Sequence, residues 1–381
     1  MRIGIDAINI RTGGGLNHLK EILLNLDPVA LNIEKVIIWA TKPTLDNLFN
    51  STWIKKIDVE HIASSWGSLL WWNLKTLEKE LITEQCEVLF VPGGTYIGKF
   101  RPYITMVQNL LPFDKIERKK YKYSKDYFRY LLLEFLQAYT FRRANGVIFL
   151  SNHSQKIIMN EYFSSKEIKT QVIYHGVDDS YFNINRNQKL ISINRLPLRL
   201  LYVSIINYYK NQINVVKALE ILINKNYDIK LELIGPAYSP ALKDLQNFID
   251  NNNMKNRVTY KGPLNKDSLI ENYNNSDIFV FASSCESFGM ILLEAMASGL
   301  PIACSNKTAM PEILGENGEY FNPDDPISIS LAIESILNDK GKSKNYSYQS
   351  IKRAEKFTWK KCSTETFKFI SSLGKERINV K

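Results

Sequence analysis

The most informative stretch of the sequence is Ser284-Cys-Glu-Ser-Phe-Gly-Met-Ile-Leu-Leu-Glu-Ala-Met-Ala-Ser-Gly299-Leu-Pro301. It predicts a loop that leads from a strand into a helix. The apolar run Asp277-Ile-Phe-Val-Phe-Ala282 directly before it is typical of a buried strand. A helix follows the short polar loop and ends near Gly299, with Pro301 just beyond it. Strand, loop and helix in this order are typical of parallel α/β sheets, which bind ligands beyond the carboxyl ends of their strands.

The start of this helix is a candidate anion site. Unpaired amides of Phe288, Gly289 and Met290 and the positive end of the helix dipole suit a diphosphate. Glu286 in the loop and Glu294 one turn into the helix would flank that anion with two hydrogen-bond acceptors. A ligand that carries both phosphates and hydroxyls fits this combination, and a sugar nucleotide is such a ligand.

The same stretch resembles the Glu-x7-Glu motif of the retaining GT-B glycosyltransferases, specifically the glycosyl transferases group 1 family (family 4), of the polysaccharide and O-antigen type. The resemblance covers nearly the whole chain and is strongest from about residue 172 to 325. Further segments that resemble the family are Pro311-Glu312-Ile313, Glu319–Asp324, Val172–Asp178, Leu200–Ser204 with Lys210-Asn211, and Gly13-Gly14-Gly15.

The family resemblance implies an α/β fold of the GT-B type, with two doubly wound Rossmann-like domains that face each other across a cleft. We expect an acceptor domain at about residues 1–185, a donor domain at 196–358, and a final helix at about 359–381 that packs back on the first domain. A polar linker, residues 183–194, would separate the domains. Alternating apolar and helical patterns also predict parallel layering, with strands at Lys35–Ala40, Val59–Ile62, Val88–Val91 and Val172–Tyr174 among others.

The family resemblance also implies roles for single residues. Glu294 would bind the ribose of a UDP- or GDP-sugar, Glu286 would orient the transferred sugar, and Lys210 with the helix amides would hold the diphosphate. The sugar would move with retention to a glycan acceptor, expected to be lipid-linked, in cell-surface polysaccharide or O-antigen synthesis. The acceptor would enter from the first domain, near Gly14 and Gln108. The leaving phosphate would take the acceptor's proton, and the enzyme would need no metal and no cofactor.

Two positions depart from the family pattern. Ile205 stands where relatives carry a phosphate-binding arginine, and Gln108-Asn109 stands where many carry His-Asp. The amides of Gln108 and Asn109 can hydrogen-bond a sugar on the acceptor side but cannot act as acid or base. Alternatively, both amides only cap their loop, and Lys210 is a solvated lysine.

Gly13, Gly14 and Gly15 follow the first strand and open a helix predicted from Leu16. They would let the backbone approach a phosphate or sugar of the donor, or they form a plain tight turn. The histidines, among them His18 and His175, show no metal-ligand spacing, and the four cysteines are widely scattered. The sequence therefore predicts no metal site and reduced cysteines in a cytoplasmic protein.

The bulk composition excludes several other classes of protein. With 45% hydrophobic and 23% charged residues, the chain has the composition of a soluble globular protein. It begins with a strand pattern instead of a signal peptide and contains no run long enough to span a membrane. The net charge of +10 favours an anionic partner. Since no nucleic-acid-binding motif accompanies this charge, we expect no nucleic acid partner.

A basic and aromatic run, residues 115–143, is a candidate membrane surface. Helical spacing places Arg118, Lys122, Lys125 and Arg129 on one face, and a second stripe comprises Phe128, Leu132, Phe135 and Tyr139. This pattern suits an amphipathic helix on the anionic inner face of the plasma membrane, or a solvated basic face with an ordinary core face. The cluster Trp66, Trp71 and Trp72 would help dock a lipid-linked acceptor or belong to the core.

Two other functions remain open from the sequence. A nucleotide-sugar epimerase has the same double fold and needs no acceptor. A non-catalytic assembly partner would retain the fold without activity, which the two departures from the family pattern would permit.

Overall fold

The computed structural model describes residues 1–62, 66–122, 124–163, 168–182 and 196–378, with only the backbone given for residue 66 and residues 375–378. The chain divides into two compact units. The first unit comprises Met1–Gly176 with Thr358–Lys381, and the second comprises Val177–Phe357. The predicted linker, residues 183–194, lies outside the described residues.

In the described part of the first unit, seven parallel strands form one sheet with the order β3-β2-β1-β4-β5-β6-β7. The central strands read as continuous apolar runs because helices cover both faces of the sheet. The strands are β1 Arg2–Asp6, β2 Lys35–Ala40, β3 Ile54–Asp58, β4 Val88–Val91, β5 Tyr103–Val107, β6 Gly146–Phe149 and β7 Lys169–Val172.

The helices of the first unit connect these strands, and a π-helical turn, Trp72–Thr76, lies between the third and fourth of these helices. They are α1 Gly13–Leu24, α2 Lys42–Asp46, α3 Trp66–Trp71, α4 Leu77–Thr83, α5 Lys115–Lys119, α6 Lys125–Arg143 and α7 Asn152–Tyr162.

In the described part of the second unit, six parallel strands form a sheet with the order β10-β9-β8-β11-β12-β13. The strands are β8 Leu198–Val203, β9 Ile229–Ile234, β10 Val258–Tyr260, β11 Ile278–Phe281, β12 Ile302–Ser305 and β13 Glu319–Phe321. The helices are α8 Gln212–Asn224, α9 Ser239–Asn251, α10 Lys266–Asn275, α11 Met290–Ala297, α12 Met310–Leu314, α13 Pro326–Asn338 and α14 Lys340–Ala354. Short 3-10 turns lie at Asp179–Tyr181 and Tyr208–Lys210.

The last helix, α15 Trp359–Ile378, belongs to the first unit. The buried hydroxyl of Ser363 donates to the carbonyl oxygen of Ile22 in α1 at 2.6 Å. Gly176 lies so close to the start of α15 that a Cβ there would come within 2.1 Å of the Trp359 nitrogen. The chain therefore leaves the first unit after β7 and returns to it at α15.

Two predicted strands are wrong in position, and a third strand was not predicted. The strand runs over Ile54–Asp58 instead of Val59–Ile62, and over Lys169–Val172 instead of Val172–Tyr174. The strand at Glu319–Phe321 has only three residues and no readable alternation. All three lie at an edge of their sheet, where half-exposed residues weaken the apolar pattern.

Among the described residues, no helix combines the length and the apolar character that crossing a lipid bilayer requires.

Candidate functional site

The helix α11 begins directly after the loop that follows β11, as the sequence predicts. Its N-cap residue, Gly289, has a φ of +92° and offers no side chain to cap the helix. A side chain at this position would be strained, and its Cβ would come within 2.8 Å of the Met310 Cε. Glycine is therefore favoured by the left-handed backbone, and the flexible end of Met310 packs against it.

The start of α11 presents hydrogen-bond donors without partners. Within the described chain, the backbone amides of Gly289 and Met290 donate to no other group. Such amides lie at the positive end of the helix dipole and suit an anion. The Phe288 side chain is only 1% exposed and packs against Phe357, so this residue can offer a ligand only its backbone.

Lys210 lies in the 3-10 turn after β8 and is only 5% exposed. Its Nζ forms an ion pair with Glu286 Oε1. The same Nζ lies 5.3 Å from the centre of the Phe281 ring. A Cβ atom added at Gly289 would lie 3.5 Å from an edge atom of that ring. The alternative of a solvated lysine is therefore wrong, and Phe281 links the lysine to the start of α11.

The order of the strands brings these residues together. Since β8 and β11 are neighbours, the loops at their carboxyl ends meet, and the Ser284 amide donates to the Tyr209 carbonyl oxygen at 2.8 Å. Asn211 adopts a left-handed conformation with a φ of +52°. Its Nδ2 donates to the Ala282 carbonyl oxygen at 2.9 Å and to Ser284 Oγ at 3.1 Å. Asn211 thus fastens the lysine turn to the loop of Glu286, a role that the sequence did not indicate.

Glu294 lies on the second turn of α11, and its Oε2 accepts a hydrogen bond from the Tyr273 hydroxyl at 3.0 Å. Burial raises the pKa of Glu294 to about 7, against the opposing effect of the hydrogen bond from Tyr273. The negative charge of Asp178 raises this pKa further, whereas Lys266 and Tyr181 lower it. The carboxyl group is therefore poised between its neutral and charged forms near neutral pH.

The first unit contains a cavity of about 440 Å³ beyond the carboxyl ends of β1, β4 and β5. Gly15 and Gln108 meet there, because the Gly15 Cβ position lies 2.8 Å from Gln108 Oε1. Asn109 also lines the cavity, and its Oδ1 caps the loop by accepting from the Leu111 amide at 2.9 Å. Polar residues that line the same cavity and that the sequence did not indicate are Asn9, Arg11, Thr12, Asn73, Thr95 and Gln137.

The glycine-rich segment belongs to the helix itself. The helix α1 begins at Gly13 instead of Leu16, and Gly13 has a φ of +68°. Gly13 and Gly14 are exposed, and Gly15 is half-buried beside the cavity.

The predicted surface of four basic residues requires a correction. Arg118 is buried, with Nη1 donating to the Pro112 carbonyl oxygen at 2.6 Å and forming an ion pair with Glu134. The spacing failed because the chain turns between α5 and α6, and Ser124 caps the new helix. Lys122, Lys125 and Arg129 are exposed, as predicted.

The second stripe of α6 is exposed instead of forming a core face. The exposed fractions are 59% for Phe128, 43% for Leu132, 69% for Phe135 and 36% for Tyr139. We call these four residues the α6 apolar stripe. Leu133 and Leu136, on the adjacent face of the same helix, line the cavity. The apolar stripe and the cavity are therefore neighbours on one helix.

The tryptophan cluster divides between surface and core. Trp71 is 65% exposed and Leu70 is 50% exposed, and both belong to α3. Trp72 is only 2% exposed and is part of the core. The side chain of Trp66 lies outside the described residues.

Solved structures share the architecture of the whole chain. Sucrose-phosphate synthase from Thermosynechococcus elongatus matches with a TM-score of 0.73 at 17% identity, over 98% of this chain and 99% of that chain. HepE from Anabaena, solved with UDP and glucose, matches with a TM-score of 0.71 at 19% identity, over 98% and 100%. The fold is GT-B. The predicted fold class, with two Rossmann-like halves, is thus confirmed.

Residues 184–353, most of the second unit, match the family model for glycosyl transferases group 1. Among curated proteins, the glycosyltransferase MJ1607 of Methanocaldococcus jannaschii is 28% identical over 216 residues, which is 54% of each chain. The O-antigen chain mannosyltransferase B of Escherichia coli is 34% identical over 29% of each chain. The capsular polysaccharide biosynthesis glycosyltransferase CapM of Staphylococcus aureus is 25% identical over 74% of this chain and 76% of CapM. The chain thus spans about half or less of the first two relatives.

The raised pKa of Glu294 generates a prediction for stability. The protonated carboxyl group of Glu294 contributes stability to the folded chain, and this contribution is complete below its ordinary pKa of 4.5. It is lost as the pH rises through about 7, because the buried carboxyl group must then ionise. Glu294→Gln cannot ionise, so its melting temperature should rise relative to wild type as the pH increases from about 4.5 to about 7, and the difference should stay level above that range.

Tyr273→Phe is the matched variant for this experiment, because it removes the hydrogen bond that lowers the pKa of Glu294. The pH at which stability is lost should therefore move upward in Tyr273→Phe. A melting-temperature difference between Glu294→Gln and wild type that stays constant over this pH range would contradict the assignment.

Proposed function

We propose that the chain is a retaining glycosyltransferase that moves a sugar from a nucleoside diphosphate donor to a glycan acceptor. The observation that carries the proposal is the arrangement in the second unit of Lys210, Glu286 and Glu294 around the uncapped start of α11. The match of this unit to the glycosyl transferases group 1 family supports it.

The diphosphate would bind at the amides of Gly289 and Met290. In the ligand-free chain Glu286 neutralises Lys210, and a bound phosphate would take the place of that carboxylate. The buried ammonium group would then stabilise the negative charge that develops on the phosphate as the sugar leaves. Since Ile205 replaces a second cation of the family pattern, we assign to Lys210 the main electrostatic part of this step.

The two glutamates would hold the groups on either side of the diphosphate. Glu286, once released from Lys210, would accept hydrogen bonds from the hydroxyls of the transferred sugar. Glu294 would accept the ribose hydroxyls, and Tyr273 would orient its carboxyl group. The family resemblance supports a same-face transfer in which the leaving phosphate takes the acceptor's proton, with no metal required.

The acceptor would bind in the cavity of the first unit. Gln108, Asn109 and the glycines of α1 give this cavity amide and backbone groups that suit sugar hydroxyls. Relatives named for O-antigen and capsular polysaccharide synthesis support a cell-surface glycan as the product. HepE, solved with UDP, supports UDP-sugars as the first donors to test, and GDP-sugars follow as the second.

The acceptor would be lipid-linked, and the first unit would rest on an anionic membrane surface. The α6 apolar stripe and Trp71 expose large apolar side chains, and Lys122, Lys125 and Arg129 lie beside the stripe. Such a surface binds anionic bilayers by burying apolar area and by electrostatic attraction. A lipid in the bilayer would then carry its sugar to the cavity that α6 also lines.

The double variant Lys210→Met/Glu286→Gln tests donor binding without leaving a buried charge unpaired. We expect it to bind UDP or GDP at least about tenfold more weakly than wild type in calorimetry, because the phosphate loses its buried cation. Incubation of the wild type with the donor alone distinguishes an epimerase, which would convert the sugar without an acceptor.

Lys225→Met/Glu334→Gln is the matched control, because it removes an exposed ion pair of the same unit at 2.7 Å. Its nucleotide affinity should equal that of the wild type. If both double variants bind equally well, Lys210 does not hold the diphosphate. If the wild type binds no nucleotide, a non-catalytic role is favoured.

Phe128→Ser/Phe135→Ser tests the membrane surface. Removing the two most exposed phenylalanines of the stripe should weaken binding to vesicles that contain phosphatidylglycerol by at least about tenfold in sedimentation assays. The control Ile327→Ser/Leu331→Ser changes two exposed apolar residues of α13 in the second unit and should leave vesicle binding unchanged. Equal losses in both variants would argue against a specific surface on α6.

A further inference from the structure

Three buried residues of the first unit meet at a point where three segments of that unit converge. His18 lies on α1, His175 follows β7, and Cys362 lies on α15. Their possible ligand atoms all lie within 4.8 Å of one another, and the two histidine Nδ1 atoms are 3.0 Å apart. His18 is 0%, His175 5% and Cys362 1% exposed, so water does not surround the cluster.

The hydrogen bonds of this cluster are incomplete within the described chain. The His18 Nε2 is buried and has no hydrogen-bond partner there. Unsatisfied buried polar atoms are rare in folded proteins, and a bound ion or ligand is one way to satisfy them.

We propose that His18, His175 and Cys362 bind a transition-metal ion of the zinc class. Two imidazoles and one thiolate are borderline-soft donors that suit Zn²⁺ better than Mg²⁺ or Ca²⁺. Ligand atoms around a tetrahedral Zn²⁺ lie about 3.3–3.7 Å apart, so small side-chain movements close the cluster. The chain supplies three ligands, as zinc sites with an open fourth position do.

Metal binding here is a ligand exchange without oxidation or reduction. The Cys362 thiol loses its proton to solvent as the sulfur–metal bond forms, and both histidines bind in their neutral form. The Thr366 hydroxyl, one helical turn beyond Cys362 on α15, would donate to the thiolate sulfur.

The metal would fasten α1, the segment after β7 and α15 to one another. The helix α1 carries the glycines at the cavity, and α15 is the segment that returns to the first unit. The site is therefore independent of Lys210, Glu286 and Glu294, which belong to the second unit. Its presence or absence does not depend on the proposed glycosyl transfer.

The test uses the tag-free full chain after treatment with a chelator. Titration with Co²⁺ should give one ion per chain and a near-ultraviolet sulfur-to-cobalt charge-transfer band, and Zn²⁺ should raise the melting temperature. Cys362→Ser should lose the band and bind Zn²⁺ at least about tenfold more weakly. Cys86→Ser removes another buried cysteine of the first unit and should behave like the wild type.

If Cys362→Ser fails to fold, alkylation of the wild type decides the question. Zn²⁺ should protect Cys362 from iodoacetamide during partial unfolding, as peptide mass measurements would record, and should leave Cys86 unprotected. Co²⁺ bound without a sulfur band, or equal alkylation of Cys362 with and without Zn²⁺, would overturn the proposal.

Discussion

The ion pair between Lys210 and Glu286 is the interaction on which the candidate site depends. Both side chains are largely buried, and a buried charge is costly unless a partner of opposite charge compensates it. The pair forms because β8 and β11 are neighbours in a parallel sheet, which brings the loops at their carboxyl ends together. Lys210 thus pairs with a carboxylate of its own chain, beside helix amides that have no partner in the described chain. A diphosphate with hydroxyls on either side would supply a partner to each of these groups.

The two units carry different chemical groups. The second unit carries charged groups and helix amides beyond the carboxyl ends of β8 and β11, held by hydrogen bonds such as those of Asn211. The first unit carries a cavity with amide side chains, and its α6 exposes apolar residues that a water-facing helix normally buries. The proposed division into donor and acceptor functions follows from this difference in chemistry.

The sequence predicts the fold well where burial is complete. Central strands such as Lys35–Ala40 and Val88–Val91 agree to the residue, because continuous apolar runs identify them. The edge strands were displaced or missed, since half-exposed residues such as Lys55 give no clear period. Of the site, the order of loop and helix around Gly289 was predictable. The burial of Lys210, the break between α5 and α6 that buries Arg118, and the meeting of His18, His175 and Cys362 depend on contacts distant in sequence.

We propose that the start of α11 holds a diphosphate. A crystal structure of the chain with the nucleoside diphosphate that it binds would show whether the phosphates lie there. We expect phosphate oxygens at hydrogen-bond distance, about 2.7–3.2 Å, from the Gly289 and Met290 amide nitrogens, with Lys210 Nζ turned from Glu286 to the phosphate. A diphosphate bound elsewhere, with the ion pair of Lys210 and Glu286 intact, would contradict the account.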